Sequence, residues 1–152
     1  MLSHAAEASF QKGLDAFHAG RNIEAMALFE AAIELERRKG GSGLQPRYLS
    51  YYGVCLAVHA DRAREGIYFC REAIAREGYN ADLHLNHAKA LLAAEKRRDA
   101  YDALIRGLSF QPGHPEIRQL LKKMGIRKRP VLPFLERENP VNIKLGLITR
   151  SK

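Results

Sequence analysis

Apolar side chains recur at three- and four-residue intervals along most of the chain, the spacing of one helix face rather than the alternation of a strand. SFQKGLDAFHA is followed by a break at Gly20, Arg21 and Asn22, then by IEAMALFEAAIELERR. Further on, ADLHLNHAKALLAAE is followed by KRR and then by DAYDALIRGLSF, which ends at Gln111, Pro112 and Gly113. Ala, Leu, Glu, Lys and Arg fill these stretches, and all five are good helix formers. The pattern predicts helices in pairs.

The pairs repeat. Gly13 is followed twelve residues later by Ala25, then by Phe29 and Ala32; Ala88 is followed twelve later by Ala100, then by Leu104 and Gly107. Between them Gly53 is followed thirteen later by Gly66, then by Cys70 and Ala73, so the middle unit carries one extra residue in its first helix or its turn. Units two and three lie 34 or 35 residues apart, and units one and two 40 or 41, the excess being KGGSGLQP, residues 39–46. Small residues at these places have a mechanical reason, because two helices approach to about 8 Å only where a side chain is no larger than Gly or Ala.

A helix follows the third pair. HPEIRQLLKKMG places Ile117, Leu120, Leu121 and Met124 on one face, with Pro115 suited to the first turn and Gly125 to the end. A stacked array needs such a helix to hide its last apolar face.

The small residue of each first helix, the small residue opening each second helix and the later small residue together resemble the tetratricopeptide repeat, over about residues 6–112. Pro112 matches the closing proline of that motif. His84 and His87 stand where large apolar residues are usual, and Gly66 stands where alanine is commoner. The resemblance implies an all-α fold, a right-handed solenoid of helical hairpins. Its three units would run over about 6–39, 46–79 and 81–114, with a capping helix at 115–125 and an extension at 126–152.

It also implies a function. In that family the first helices line a concave groove in which partners lie as extended peptides or helices. Carried over, the groove takes Phe10, Leu14 and Phe17 from unit one, Tyr51 and Val54 from unit two, and Asp82, Leu85, Asn86 and Lys89 from unit three. Asn86 matches a position at which some relatives bond a peptide backbone. Phe10 and Phe17 carry a second reading, as side chains buried against their neighbours.

Chaperone-associated relatives grip a ligand's C-terminal carboxylate with Lys, Asn and Arg. Phe10, Leu14, Tyr51, Asp82 and Asn86 occupy those places, and none keeps its clamp residue. Asp82 would repel a carboxylate. An Hsp90-type co-chaperone role is therefore not expected.

Charge is unevenly spread and concentrates at the C-terminal end. Of the formal +8, residues 122–152 hold nine Lys or Arg against Glu136 and Glu138, a net of +7, which leaves the other 121 residues at +1. Lys122, Lys123, Arg127, Lys128 and Arg129 crowd together, and Val131, Leu132, Phe134 and Leu135 follow. That tail could strap the array, bridge two copies as a homodimer, or act as an anion-binding arm. It lacks the flanking aromatics of a base-stacking platform, so nucleic acid is the weakest of these readings. From residue 141 onward helical and strand spacing are both satisfied.

Little in the chain speaks for catalysis. There is no Gly-rich phosphate loop, no Gly-x-Ser-x-Gly and no Cys-rich metal pattern. His84 and His87 could chelate a metal from one helix face, though no third ligand is apparent. Cys55 and Cys70 could form a redox pair, but read better as small core hydrophobes. No apolar run is long enough to span a membrane, no secretory signal precedes the first helix, and two cysteines suit a reducing cytoplasm. The expectation is a cytoplasmic, non-catalytic adaptor without cofactor that presents a groove to another protein. The rivals are a secretion-type chaperone, against which the basic charge speaks, and a nucleic-acid accessory protein acting through the tail.

Overall fold

The computed structural model describes residues 2–40 and 43–125, with side chains described from residue 4. Seven helices follow in order among them: α1 Leu2–His18, α2 Asn22–Arg38, α3 Pro46–His59, α4 Ala63–Arg76, α5 Ala81–Ala93, α6 Arg97–Phe110 and α7 Pro115–Met124. α1 packs on α2, α3 on α4 and α5 on α6, while α2 and α3, α3 and α5, and α4 and α5 join successive hairpins. Residues 1–121 form one compact unit. The second unit begins at Lys122, and only its first four residues are described. Arg127, Lys128, Arg129 and the apolar part of the extension therefore lie outside the described residues.

All twelve positions of the repeated pattern are buried, from Gly13, Ala25, Phe29 and Ala32 through to Ala88, Ala100, Leu104 and Gly107. The contact that needs small residues is tightest in the middle hairpin. A Cβ on Gly66 would run into the Gly53 carbonyl oxygen, the shortest approach at any of the described glycines, and one on Gly53 would lie 2.7 Å from the Gly66 carbonyl oxygen and 2.9 Å from Cys70 Sγ. In the first hairpin Phe29 fills the same space, its ring edge 2.6 Å from where a Gly13 Cβ would stand.

The three turns are built alike. Each has three residues, and the middle one, Gly20, Asp61 or Glu95, is left-handed, with φ of 75°, 53° and 60°. The third residue closes each turn through its backbone N–H: Arg21 to the Ala16 carbonyl at 2.9 Å and Lys96 to the Leu91 carbonyl at 2.9 Å. Arg62 bonds Leu56 at 3.0 Å, one residue further back. The extra residue of unit two therefore sits in the last turn of α3, not in the loop.

An aromatic cluster joins the first two hairpins. Phe10 lies 4.7 Å from Tyr48, 5.5 Å from Phe29 and 5.7 Å from Tyr51. Arg47 covers this cluster, 5.1 Å from the Phe10 centroid, while its guanidinium and the Tyr48 hydroxyl both donate to Glu7 Oε2. Burial works against the charged form of Glu7, yet hydrogen bonds from Gln11, Tyr48 and Arg47 prevail and hold its pKa below the usual value. Between the second and third hairpins, Asn86 Nδ2 donates to Ser50 Oγ at 3.1 Å within the core. Cys70 Sγ contacts the Ser50 carbonyl at 3.6 Å. Cys55 and Cys70 are both free and buried, and burial pushes their thiols up to about 12. Thiols held so far from ionisation behave as small apolar groups.

Candidate functional site

The expected groove residues separate into three groups. Phe10, Val54, Leu85 and Asn86 are each at most 3% exposed. This corrects their expected place on the groove: Phe10 belongs to the aromatic cluster, Val54 and Leu85 to the core, and Asn86 to the bond with Ser50. An interior hydrogen-bond partner, rather than a ligand backbone, satisfies the Asn86 amide.

Asp82 and Lys89 form the second group, and both face α7 and the residue before it. His114 Nε2 lies 2.9 Å from Asp82 Oδ1, and Lys89 Nζ lies 3.2 Å from Glu116 Oε2. His114 also accepts the Ile117 backbone N–H at its Nδ1, 3.3 Å away. One imidazole thus caps the first turn of α7 and ties it to α5. The pattern of charges in the sequence carried no sign of this, because the partners lie 32 residues apart.

Leu14, Phe17 and Tyr51 form the third group. All are half-buried, and Phe17 meets Tyr51 edge-on, centroids 5.7 Å apart at 89°. Burial raises the Tyr51 pKa, with the Asp82 and Glu116 carboxylates adding to it. The phenol therefore looks toward the charged end of the same strip. From α1 through α3 to α5, the surface passes from apolar and aromatic to carboxylate and ammonium.

Of the expected histidine pair, His84 is already engaged and so is not free to act as half of a chelate. His84 Nε2 sits 2.8 Å from the Gly78 carbonyl, and its ring stacks on Phe110 at 5.6 Å. His87 is held neutral, its pKa lowered to about 4 by burial first and then by His84 and Arg71. Among the described residues no group of three His, Cys, Asp or Glu is placed to hold a metal ion. Among the described residues, too, no helix is long and apolar enough to cross a membrane. Lys122 and Lys123, the described part of the basic cluster, are exposed.

No protein-family model matches the sequence, and no curated protein matches it either. Solved structures do. The chain is similar to the tetratricopeptide domain of Arabidopsis OM64, with TM-score 0.66 and 16% identity over 82% of this chain and 98% of that one. It is also similar to the first such domain of human RPAP3, with TM-score 0.67 and 18% identity over 80% and 91%. The Yersinia enterocolitica type III secretion translocator chaperone SycD matches with TM-score 0.60 and 13% identity over 98% and 96%. With its paired helices, its buried small residues at the repeated positions and these likenesses, the chain has the tetratricopeptide-repeat fold.

Proposed function

We propose that this chain is a non-catalytic protein-interaction adaptor that binds a segment of a partner along the strip from α1 to α5. The Phe17–Tyr51 contact carries the reading. Aromatic side chains that leave one face in contact with water are what binding surfaces are enriched in, because they contribute much area at little entropic cost. Leu14, Phe17 and Tyr51 take the apolar side of the segment, and Asp82 and Lys89 take its polar end.

A solved first tetratricopeptide domain of Spaghetti (RPAP3), at 18% identity and TM-score 0.64, is bound to the HSP90 peptide SRMEEVD. It supports peptide binding as the use of this fold. The present chain differs at the places of the carboxylate clamp, where Phe10 and Asn86 are interior and Asp82 is acidic. The segment it binds is therefore apolar rather than an acidic C-terminus. A chaperone for an exported protein is the second reading, favoured by the likeness to SycD extending over 98% of this chain. The net charge of +8, with +7 of it in residues 122–152, speaks against that second reading.

Affinity capture from the source lysate at low and high salt tests the adaptor reading, using full-length protein beside a Leu14→Glu variant. A defined protein retained at high salt and lost in the variant is the expected result. Capture of nucleic acid alone, lost at high salt and indifferent to Leu14, would move the function to the basic residues.

A further inference from the structure

A second concavity lies between α4 and α6, floored by α5. Its volume is about 490 Å³, within the range of sites that hold small ligands or single side chains. On α5 it is lined by His84, His87 and Leu91. At 100° per residue these point about 140–180° away from Asp82 and Lys89, so this site and the partner strip stand or fall separately.

Two features of the lining ask for a ligand. The first is His87 Nε2, a buried nitrogen with no hydrogen-bond partner among the described residues. Leaving such an atom unpaired destabilises the fold unless something bonds to it. The second is the set of charges around it: Arg71 from α4, then Lys96, Asp99, Asp102 and Arg106 from α6 and its start. None of these five side chains makes an ion pair or hydrogen bond among the described residues. Three cations against two carboxylates leave the lining at +1, with His87 neutral. That balance matches one monoanion. A dianion such as phosphate would meet Asp99 and Asp102.

We propose that the α4–α6 groove is a binding site for a single carboxylate, which accepts a hydrogen bond from His87 Nε2 and pairs with the Arg71, Lys96 and Arg106 cations. Ile67, Ile74 and Ala103 supply the apolar wall for the group that carries it. The carboxylate comes from a free organic acid or from an acidic side chain of a peptide.

The groups facing His87 are Arg71 from α4, His84 from α5 and Asp99 from α6, with Lys96, Asp102 and Arg106 further along the lining. Burial, His84 and Arg71 keep the empty site's imidazole neutral, against the pull of Asp99. A bound carboxylate adds opposite charge and raises the His87 midpoint, so binding takes up protons and strengthens as pH falls below the usual histidine range.

The test is an NMR titration of the His87 ring in histidine-labelled full-length protein, its signal assigned with His87→Gln. The probes are butanoate, the tripeptide N-acetyl-leucyl-glutamyl-leucinamide, and inorganic phosphate. Either carboxylate should shift the ring saturably and lift its midpoint above about 4. Arg71→Gln, an exposed position that leaves the core intact, should weaken binding about tenfold. Equal binding of the two carboxylates assigns a free acid, and tighter binding of the tripeptide assigns a peptide. A ring unmoved by both, a shift unchanged in Arg71→Gln, or tighter binding of phosphate would overturn the proposal.

Discussion

His114 and Asp82 are held together across 32 residues of chain, the imidazole Nε2 donating to the carboxylate while Nδ1 accepts the Ile117 backbone N–H. Because Nδ1 accepts, the proton must sit on Nε2, and the ring is orientated at both ends. Removing either function should loosen α7 from α5. We expect His114→Ala to cost about 1–2 kcal/mol, the worth of a helix cap and one further bond, and Asp82→Ala to cost less. Amide hydrogen exchange at Ile117 and Leu121 reads this directly, and unchanged protection would contradict it.

The Gly53–Gly66 crossing predicts a large effect from one methyl group. Alanine is a better helix former than glycine by about 1 kcal/mol. At Gly53 that gain is overridden, because the added carbon stands 2.7 Å from a carbonyl oxygen of the neighbouring helix. Gly53→Ala should lose about 3 kcal/mol in urea denaturation as the hairpin spreads. Gly113→Ala, where nothing lies within 4 Å, should change stability little.

His87 sets a pH dependence with a definite sign. Its folded pKa, lowered to about 4, lies below the unfolded value near 6.5, so the unfolded chain binds the proton more readily. Stability from this residue is complete above pH 6.5 and is lost as pH falls toward 4. With solvent screening allowed for, the loss is on the order of 2 kcal/mol. His87→Phe should flatten that limb of the stability–pH curve in thermal melts. An unchanged limb would place the titration elsewhere.

Glu95 occupies the left-handed turn position that glycine holds in unit one at Gly20. A side chain there is strained, whereas glycine is not. Glu95→Gly should therefore gain roughly 0.5–1 kcal/mol despite the freer unfolded chain, and Gly20→Ala should lose a similar amount. Paired denaturation curves decide it.

The helix pairs, the buried small residues and the helix that follows the third pair were legible in the sequence because each leaves a periodic trace: Gly13, Ala25 and Ala32 recur as Ala88, Ala100 and Gly107. The candidate groove was legible only in part. Position within a helix says which residues lie on one side, and Phe17 does meet Tyr51 edge-on. It does not say how deeply a neighbouring hairpin covers them. Phe10 sinks because Tyr48 and Arg47 close over it, and Asn86 turns inward because Ser50 offers a buried hydroxyl. Both depend on contacts 36 or more residues apart, which no local pattern records. The same holds for Asp82, whose partner His114 reads in the sequence only as the residue before a helix.

Photo-crosslinking locates the binding face. Benzoylphenylalanine would be placed at Leu14 on the α1 strip and, separately, at the exposed Tyr68 on α4, with irradiation in the source lysate. One discrete protein adduct is expected from position 14 and none of that mass from position 68. The same adduct from both, or from position 68 alone, would contradict binding along α1, α3 and α5.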